Sequence, residues 1–356
     1  MFEEFFNPKP LGGVSLLFNE LILAIMKAVN RQRTISSPYH LIKGKKSGQT
    51  IQDIGYFGLY PYFGVLPKLD KKAYDQAVQS FFSQGYLLAN DQVVDLSRKA
   101  LDLDIAASPL NGWKYRGNEN LFFSRLSLIV QTLSHTSQQE KTFDPIVSNE
   151  EIQSWVKSYL NRIQFRDLAV AQRFTEELVA SLTATDISET HKMIIMERLT
   201  GFGLSGLTWQ QIADSKTLTV MDVQLMAVEA LHGWMSVIER SKPALLIGLM
   251  EGIIQQSSLT ETAQRTEKLF QRGFSLEQIA SLRQLKTSTI EDHFVELAMN
   301  DPYFNYTQFV DMELYEAIIA ESHRQKTKRL REIKEYLPEA NYFQIRLALA
   351  IREEQG

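Results

Sequence analysis

Three serine-led phrases in succession commit the C-terminal third of this 356-residue chain to helix. Ser258 precedes Glu261, Ser275 precedes Gln278 and Ser288 precedes Glu291, each by three residues. That is the spacing of a capping box, in which the two side chains take up backbone N–H groups that a helix start leaves unpaired. Gly273 is placed to stop the first helix, because a glycine adopts the left-handed backbone that ends helices at little cost. The spacing predicts one helix between Ser258 and Gly273, a short second through Ile279 and Ala280, and a third from Ser288 to about Met299. Only 283–287 connects the last two. Leu269, Phe270, Leu276, Ile279, Leu285, Ile290, Phe294 and Leu297 can close one small core. Short helices with a tight turn between the last two describe a helix-turn-helix. Its second member presents Arg283, Lys286, Thr287, Ser288 and Thr289, whose cations, hydroxyls and backbone amides suit nucleic-acid phosphate. Glu291 and Asp292 on the same helix would repel phosphate unless they accept from cytosine amino groups. Such modules also dock proteins, and both readings stay open at this point.

The N-terminal hundred residues follow a winged-helix order. An apolar run at 14–32 is followed by helical stretches at 38–43 and 49–57 around Gly44-Lys-Lys-Ser-Gly48. Asp70 can cap a helix through Phe82 that Gly85 ends, and 86–96 reads as two short strands around an Asn90-Asp91 turn, the wing. The net charge of the whole chain is −4, so any nucleic-acid contact must rest on local patches. One such patch is 27–72, with nine Lys or Arg and two Asp or Glu. Lys43, Lys45, Lys46 and Ser47 stand just before a helix start, a plausible phosphate position, and Lys71 and Lys72 close the strip. A solvated lysine loop is the competing reading. The phrase is not a Walker A loop, because its early glycine would fall at Tyr39. The aromatic cluster Tyr56–Gly64 reads as packing before it reads as a base-stacking platform.

Between these ends the pattern is helical at 119–135, 149–162, 165–182, 188–202, 220–238 and 243–255, with 134–149 the most linker-like stretch. Thr208-Trp-Gln-Gln-Ile-Ala aligns with Ser275-Leu-Glu-Gln-Ile-Ala at a spacing of 67. The ungapped match gives six identities over 25 positions, few enough that helical patterning alone can produce them. A second helix-turn-helix-like unit at 189–235 is therefore an open question. The expected fold is mainly α, in three consecutive domains: a winged helix at 1–105, a helical middle at 106–255 and a helix-turn-helix module at 256–356.

Chemistry is harder to find. There is no cysteine, which removes disulfides, thiolate metal sites and cysteine nucleophiles and suits a reducing cytoplasm. The six histidines never fall four apart, so no zinc motif arises. Gly201-Phe-Gly-Leu-Ser-Gly206 follows no strand, and so resembles neither a nucleophile elbow nor a dinucleotide loop. The acidic Met1-Phe-Glu-Glu-Phe-Phe start is unlike a signal peptide, and charged residues interrupt the apolar runs, so no membrane role is expected. No cofactor, small-molecule substrate or catalytic residue is expected.

Ser275-Leu-Glu-Gln-Ile-Ala, Leu285-Lys-Thr-Ser-Thr-Ile-Glu-Asp-His and Leu337-Pro-Glu-Ala-Asn-Tyr-Phe-Gln-Ile-Arg-Leu-Ala-Leu-Ala resemble the helix-turn-helix module that ends some bacterial RecQ-type helicases. The same module ends the YpbB-like proteins of Firmicutes. Tyr39-His-Leu-Ile-Lys-Gly-Lys-Lys-Ser-Gly-Gln-Thr-Ile-Gln-Asp53 is similar to the N-terminus of that family. The resemblance implies a non-catalytic accessory protein that binds DNA and partners a RecQ-like helicase in repair or recombination. Generic helix-turn-helix logic leaves a sequence-specific transcription regulator as the alternative.

Overall fold

The computed structural model describes residues 16–88, 92–105, 108–140, 142–254, 259–301 and 303–351. In chain order its helices are α1 (Leu16–Ala28), α2 (Ser37–Ile42), α3 (Gly48–Tyr56), α4 (Lys71–Ser83), α5 (Arg98–Leu101), α6 (Gly112–Tyr115), α7 (Glu119–Ser137), α8 (Glu150–Arg162) and α9 (Leu168–Thr183). Then come α10 (Glu189–Glu197), α11 (Trp209–Lys216), α12 (Val220–Ser241), α13 (Glu261–Phe270), α14 (Leu276–Arg283), α15 (Thr287–Asn300), α16 (Met312–Gln325), α17 (Leu330–Tyr336) and α18 (Tyr342–Ala350).

Contacts gather these helices into two units, neither continuous in sequence. One takes the described residues up to 23, 64–73 and 104–255; the other takes 24–63, 74–103 and the described residues after 255. In this division 24–63 and 74–103 group with the C-terminal hundred residues, while the described residues up to 23 group with the middle of the chain.

The first unit is built on α12. Thr219 and Asp222 form its capping box, 22 residues run without proline, and Lys242 in the left-handed region precedes Pro243 at its end. Trp234 lies fully buried on it, meeting Phe122 edge-on at 5.7 Å and donating to Ser181 Oγ at 2.8 Å. The expected helix at 243–255 is instead a 3₁₀ turn at Leu246–Met250. Glu177 accepts from the amides of Leu245 and Leu246, while Arg125 donates to the carbonyls of Leu249 and Glu251. The backbone groups of this turn are thus paired outside any helix. The stretch read as linker-like is pinned as well: Gln131 on α7 donates to Asp144 O and accepts from Ile146 N.

The second unit closes around α15. Phe294 is fully buried among Phe270, Phe304 and Phe309. From the N-terminal part of the chain, α3 packs on α15 through two glycines. A Cβ at Gly48 would stand 2.5 Å from an Asp292 oxygen, and one at Gly55 would stand 2.6 Å from Met299 Cε. Only a residue without a side chain permits so close an approach. Tyr56 on the same helix is buried and donates its hydroxyl to Arg346 O at 2.9 Å, so the aromatic cluster begins as packing.

The expected β-hairpin wing is not formed among the described residues, and its Asn90-Asp91 turn lies outside them. Isolated antiparallel bridges join Leu87 to Leu96 and Thr34 to Val93. The segment that would have been the second wing strand meets 86–88 only at the Leu87–Leu96 bridge, where Leu88 N donates to Asp95 O at 2.8 Å. It pairs on its other side with 31–35: Arg31 N donates to Val94 O at 2.7 Å and Val94 N to Arg33 O at 2.9 Å.

The 67-residue offset holds in three dimensions. Thr208 and Ser275 cap α11 and α14 with complete capping boxes, and Thr217 and Gln284 end them in the left-handed region at φ 55° and 53°. Leu218 N donates to Ala213 O at 3.0 Å, as Leu285 N does to Ala280 O at 3.0 Å. Thr219 and Lys286 are the N-caps of the helices that follow. Glu229 and Glu296, at the same place on those helices, are both buried, and each anchors the start of the preceding first helix. Glu229 pairs with His191 on α10, and Glu296 accepts from the amide and hydroxyl of Thr260, the N-cap of α13. The N-caps of the first helices, Ser188 and Thr260, are 72 apart rather than 67. The middle copy therefore carries five extra residues before α11, where Gly201-Phe-Gly-Leu-Ser-Gly206 makes its turn.

Candidate nucleic-acid interface

The C-terminal helix-turn-helix forms as its punctuation requires at α14, but two of the three expected caps fall elsewhere. Ser258 lies outside the described residues, and Thr260 caps α13, held in place by Glu296. Ser288 does not cap α15. Lys286 is the N-cap, with no side-chain cap bond, and Thr287 and Ser288 lie in the first turn. Glu291 cannot complete a box with Ser288, because its carboxylate pairs with Arg346 at 2.7 Å.

That same arginine resolves the charge conflict on the helix. Arg346 on α18 pairs with both Glu291 and Asp292, and Gln52 on α3 also donates to Asp292 at 3.2 Å. The two carboxylates that would repel phosphate are half-buried and held by that arginine, and Asp292 still lines a cleft. Lys286, Thr287 and Ser288 are exposed and Thr289 is half-buried, whereas α15 is buried over almost all of 290–299. Only its first turn is presented to solvent.

Arg283 has a different task from the one expected of it. Its guanidinium donates to Thr262 O at 2.8 Å, Thr266 Oγ1 at 2.5 Å and Thr262 Oγ1 at 2.9 Å, bracing α14 against α13. His293 bonds at the same junction: Nδ1, which faces the Arg283 donor, accepts from Thr266 Oγ1 at 2.8 Å, and Nε2 donates to Thr262 Oγ1 at 3.2 Å. Burial, helped by the Arg283 charge, pushes the His293 pKa down to about 4.

The N-terminal lysines divide. Lys43 is half-buried, with Nζ over the Tyr39 ring at 5.4 Å. Ser47 caps α3, accepting from Thr50 N at 3.4 Å. Lys45 and Lys46 are exposed. Lys45 lines a cleft of about 210 Å³ with His40, Ser37 and Gln49. Lys46 lines a larger one, about 470 Å³, together with Thr289, Thr262, Arg265 and Asp292. The structure thus brings a lysine of the N-terminal loop and a hydroxyl of the helix-turn-helix to one cleft. Lys71 and Lys72 are exposed at the start of α4 and line neither cleft.

Sequence reasoning missed Thr262 and Arg265. Arg265 carried the weak signal of an i, i+4 partner in Glu261, to which it pairs at 2.5 Å. Of the basic residues at 324–331, Arg324 pairs with Glu321, Arg329 with Glu332 and Arg331 with Glu335, while Lys328 donates to Tyr56 O.

Comparison with known proteins agrees with this geometry. A helix-turn-helix domain family matches residues 262–349, from within α13 to the end of α18. Protein YpbB of Bacillus subtilis (strain 168) is 30% identical over 348 residues, covering 95% of this chain and 98% of that protein. No solved structure matches the chain. With identity maintained over nearly the full length of both proteins, this chain belongs to the YpbB family.

Proposed function

We propose that this chain is a non-catalytic, DNA-associated accessory protein of the cytoplasm that works beside a RecQ-like helicase in repair or recombination. One observation carries the DNA part. The exposed first turn of α15, Lys286-Thr287-Ser288, and Lys46 of the N-terminal loop belong to one unit, where Lys46 and Thr289 line the same cleft. Cations, hydroxyls and a helix start are the chemistry that binds backbone phosphate.

The burial of α15 bears on which kind of binder this is. Operator recognition inserts the second helix into the major groove, its N-terminal residues on base edges. Beyond its first turn this helix is mostly covered, because α3, α13 and α18 pack around it, which leaves little of it to insert into a groove. Contact by the first turn alone supports sequence-tolerant backbone binding, as an accessory factor needs, over operator recognition by a regulator. The helicase partnership rests on the resemblance of 39–53 and 275–350 to helicase-associated sequences.

Fluorescence anisotropy with mixed-sequence duplex and single-stranded DNA tests the first part. Lys46→Glu and Lys286→Glu should each weaken binding and lower the salt slope by roughly 0.9 per lost phosphate contact. Co-purification from native cells tests the second, and a helicase should be recovered. Tight footprinting of one palindromic site, with no helicase recovered, would replace this reading with the regulator.

A further inference from the structure

The two helix-turn-helix copies share a backbone but not a surface. Where the C-terminal copy presents Lys286-Thr287-Ser288-Thr289, the middle copy has Thr219-Val220-Met221-Asp222 at the same positions. Asp222 is buried and engaged, accepting from Phe18 N at 3.1 Å and Thr219 Oγ1 at 2.7 Å. The cation is gone, and apolar side chains stand in place of hydroxyls at two of the four positions. With the Asp222 carboxylate in the first turn and no cation beside it, this turn is poorly suited to phosphate.

The same helix borders an apolar cleft of about 490 Å³ within the first unit. Met221, Gln224, Val228 and Leu231 form one wall along α12, a row about 15 Å long or roughly three helical turns. Trp209 and Phe123 belong to the remainder of the lining. Two cations, Lys68 and Arg198, line the cleft, and no carboxylate does so among the described residues. Arg198 rests on the Trp209 ring at 4.2 Å and donates through Nη1 to Leu207 O at 2.7 Å. Its Nε has no acceptor among the described residues. An elongated apolar trough suits a peptide segment better than a compact ligand, and the unbalanced positive charge selects an acidic one.

We propose that the middle copy has exchanged nucleic-acid contact for protein docking, its α12 cleft taking a short apolar segment of a partner protein that carries a carboxylate. The apolar side chains of that segment seat against Met221, Val228 and Trp209, and its carboxylate faces Lys68 and Arg198. This goes beyond the DNA reading and does not depend on it.

The test selects phage-displayed peptides of about twelve residues, some three helical turns, on the immobilised full-length chain. Enriched sequences are then made with a fluorophore and titrated by anisotropy. Peptides combining Asp or Glu with aromatic or aliphatic residues should emerge. Lys68→Glu and Met221→Glu should each weaken them about tenfold or more, as loss of a contacting group at an interface core does. Lys68 is exposed, so its variant keeps the fold, and thermal melting checks both. Lys286→Glu should leave peptide affinity unchanged, which separates this site from the DNA site. Basic consensus peptides, affinity indifferent to Lys68 and Met221, or no enrichment would each overturn the proposal. So would phenylbutyrate, a free apolar carboxylate, binding more tightly than the peptides. A concentration-dependent dimer abolished by Met221→Glu would instead assign the cleft to a second copy of this chain.

Discussion

Acidification should loosen the C-terminal helix-turn-helix through one side chain. His293 is 5% exposed, and its pKa is pushed down to about 4 from an ordinary 6.5. In the unfolded chain it would recover the ordinary value. Well above pH 6.5 the imidazole is neutral in both states and contributes no pH dependence. Between 6.5 and 4 the unfolded chain takes a proton that the folded chain refuses, so stability falls as pH falls. The linkage gives a loss of about 2 kcal/mol between pH 8 and pH 5, approaching about 3 kcal/mol below pH 4. Protonation would place a second cation beside Arg283, whose Nη1 is 3.3 Å from His293 Nδ1. Urea melts followed by circular dichroism at pH 8 and pH 5 measure the loss. Repeating them in His293→Gln subtracts the carboxylates, which titrate in both proteins. Identical pH dependence in the two proteins, or a His293 ring titrating near 6.5 by NMR, would refute the reasoning.

Gly48→Ala should destabilise the second unit by about 1–3 kcal/mol, the usual cost of overpacking, because the new methyl collides with an Asp292 carboxylate that Arg346 and Gln52 hold. Adding Asp292→Ala should remove most of that penalty in a double-mutant cycle of urea melts, and strict additivity would exclude the contact. Phe294→Ala should cost on the order of 3–5 kcal/mol and expose the amides of α3 to hydrogen exchange together with those of α15. Unchanged α3 protection would show that the two ends of the chain are stable separately.

What the sequence made legible was local. Ser275 with Gln278, Asp70 with the amide of Ala73, and the left-handed Gly85 and Gly273 act within a few residues, so spacing alone finds them. What it hid was decided at a distance. Thr260 caps α13 because Glu296, 36 residues later, receives both its amide and its hydroxyl. Glu291 and Asp292 read as repulsive until Arg346 is placed beside them. Gly48 reads as the end of a lysine loop, and nothing nearby in sequence says that α15 needs its missing side chain. Of the candidate site, Lys46, Lys286, Thr287 and Ser288 are exposed and Thr289 is half-buried, whereas Arg283 and Ser47 are taken up in bracing and capping.

Building one unit from both ends of the chain sets a timetable for its synthesis. Residues 24–63 leave the ribosome with one face, Gly48 to Tyr56, shaped for a helix that is not yet made. The 152 residues at 104–255 must be translated before the first of the missing partners appears. At ~5–20 residues per second that delay is on the order of 10–30 s, long compared with helix formation and collapse. During it Ile51, Ile54 and Tyr56, all buried in the finished unit, lack the α15 and α18 surfaces that cover them. The nascent N-terminal segment is therefore a natural client for chaperones. Fragments ending before residue 256 should aggregate even though the first unit within them has its core complete.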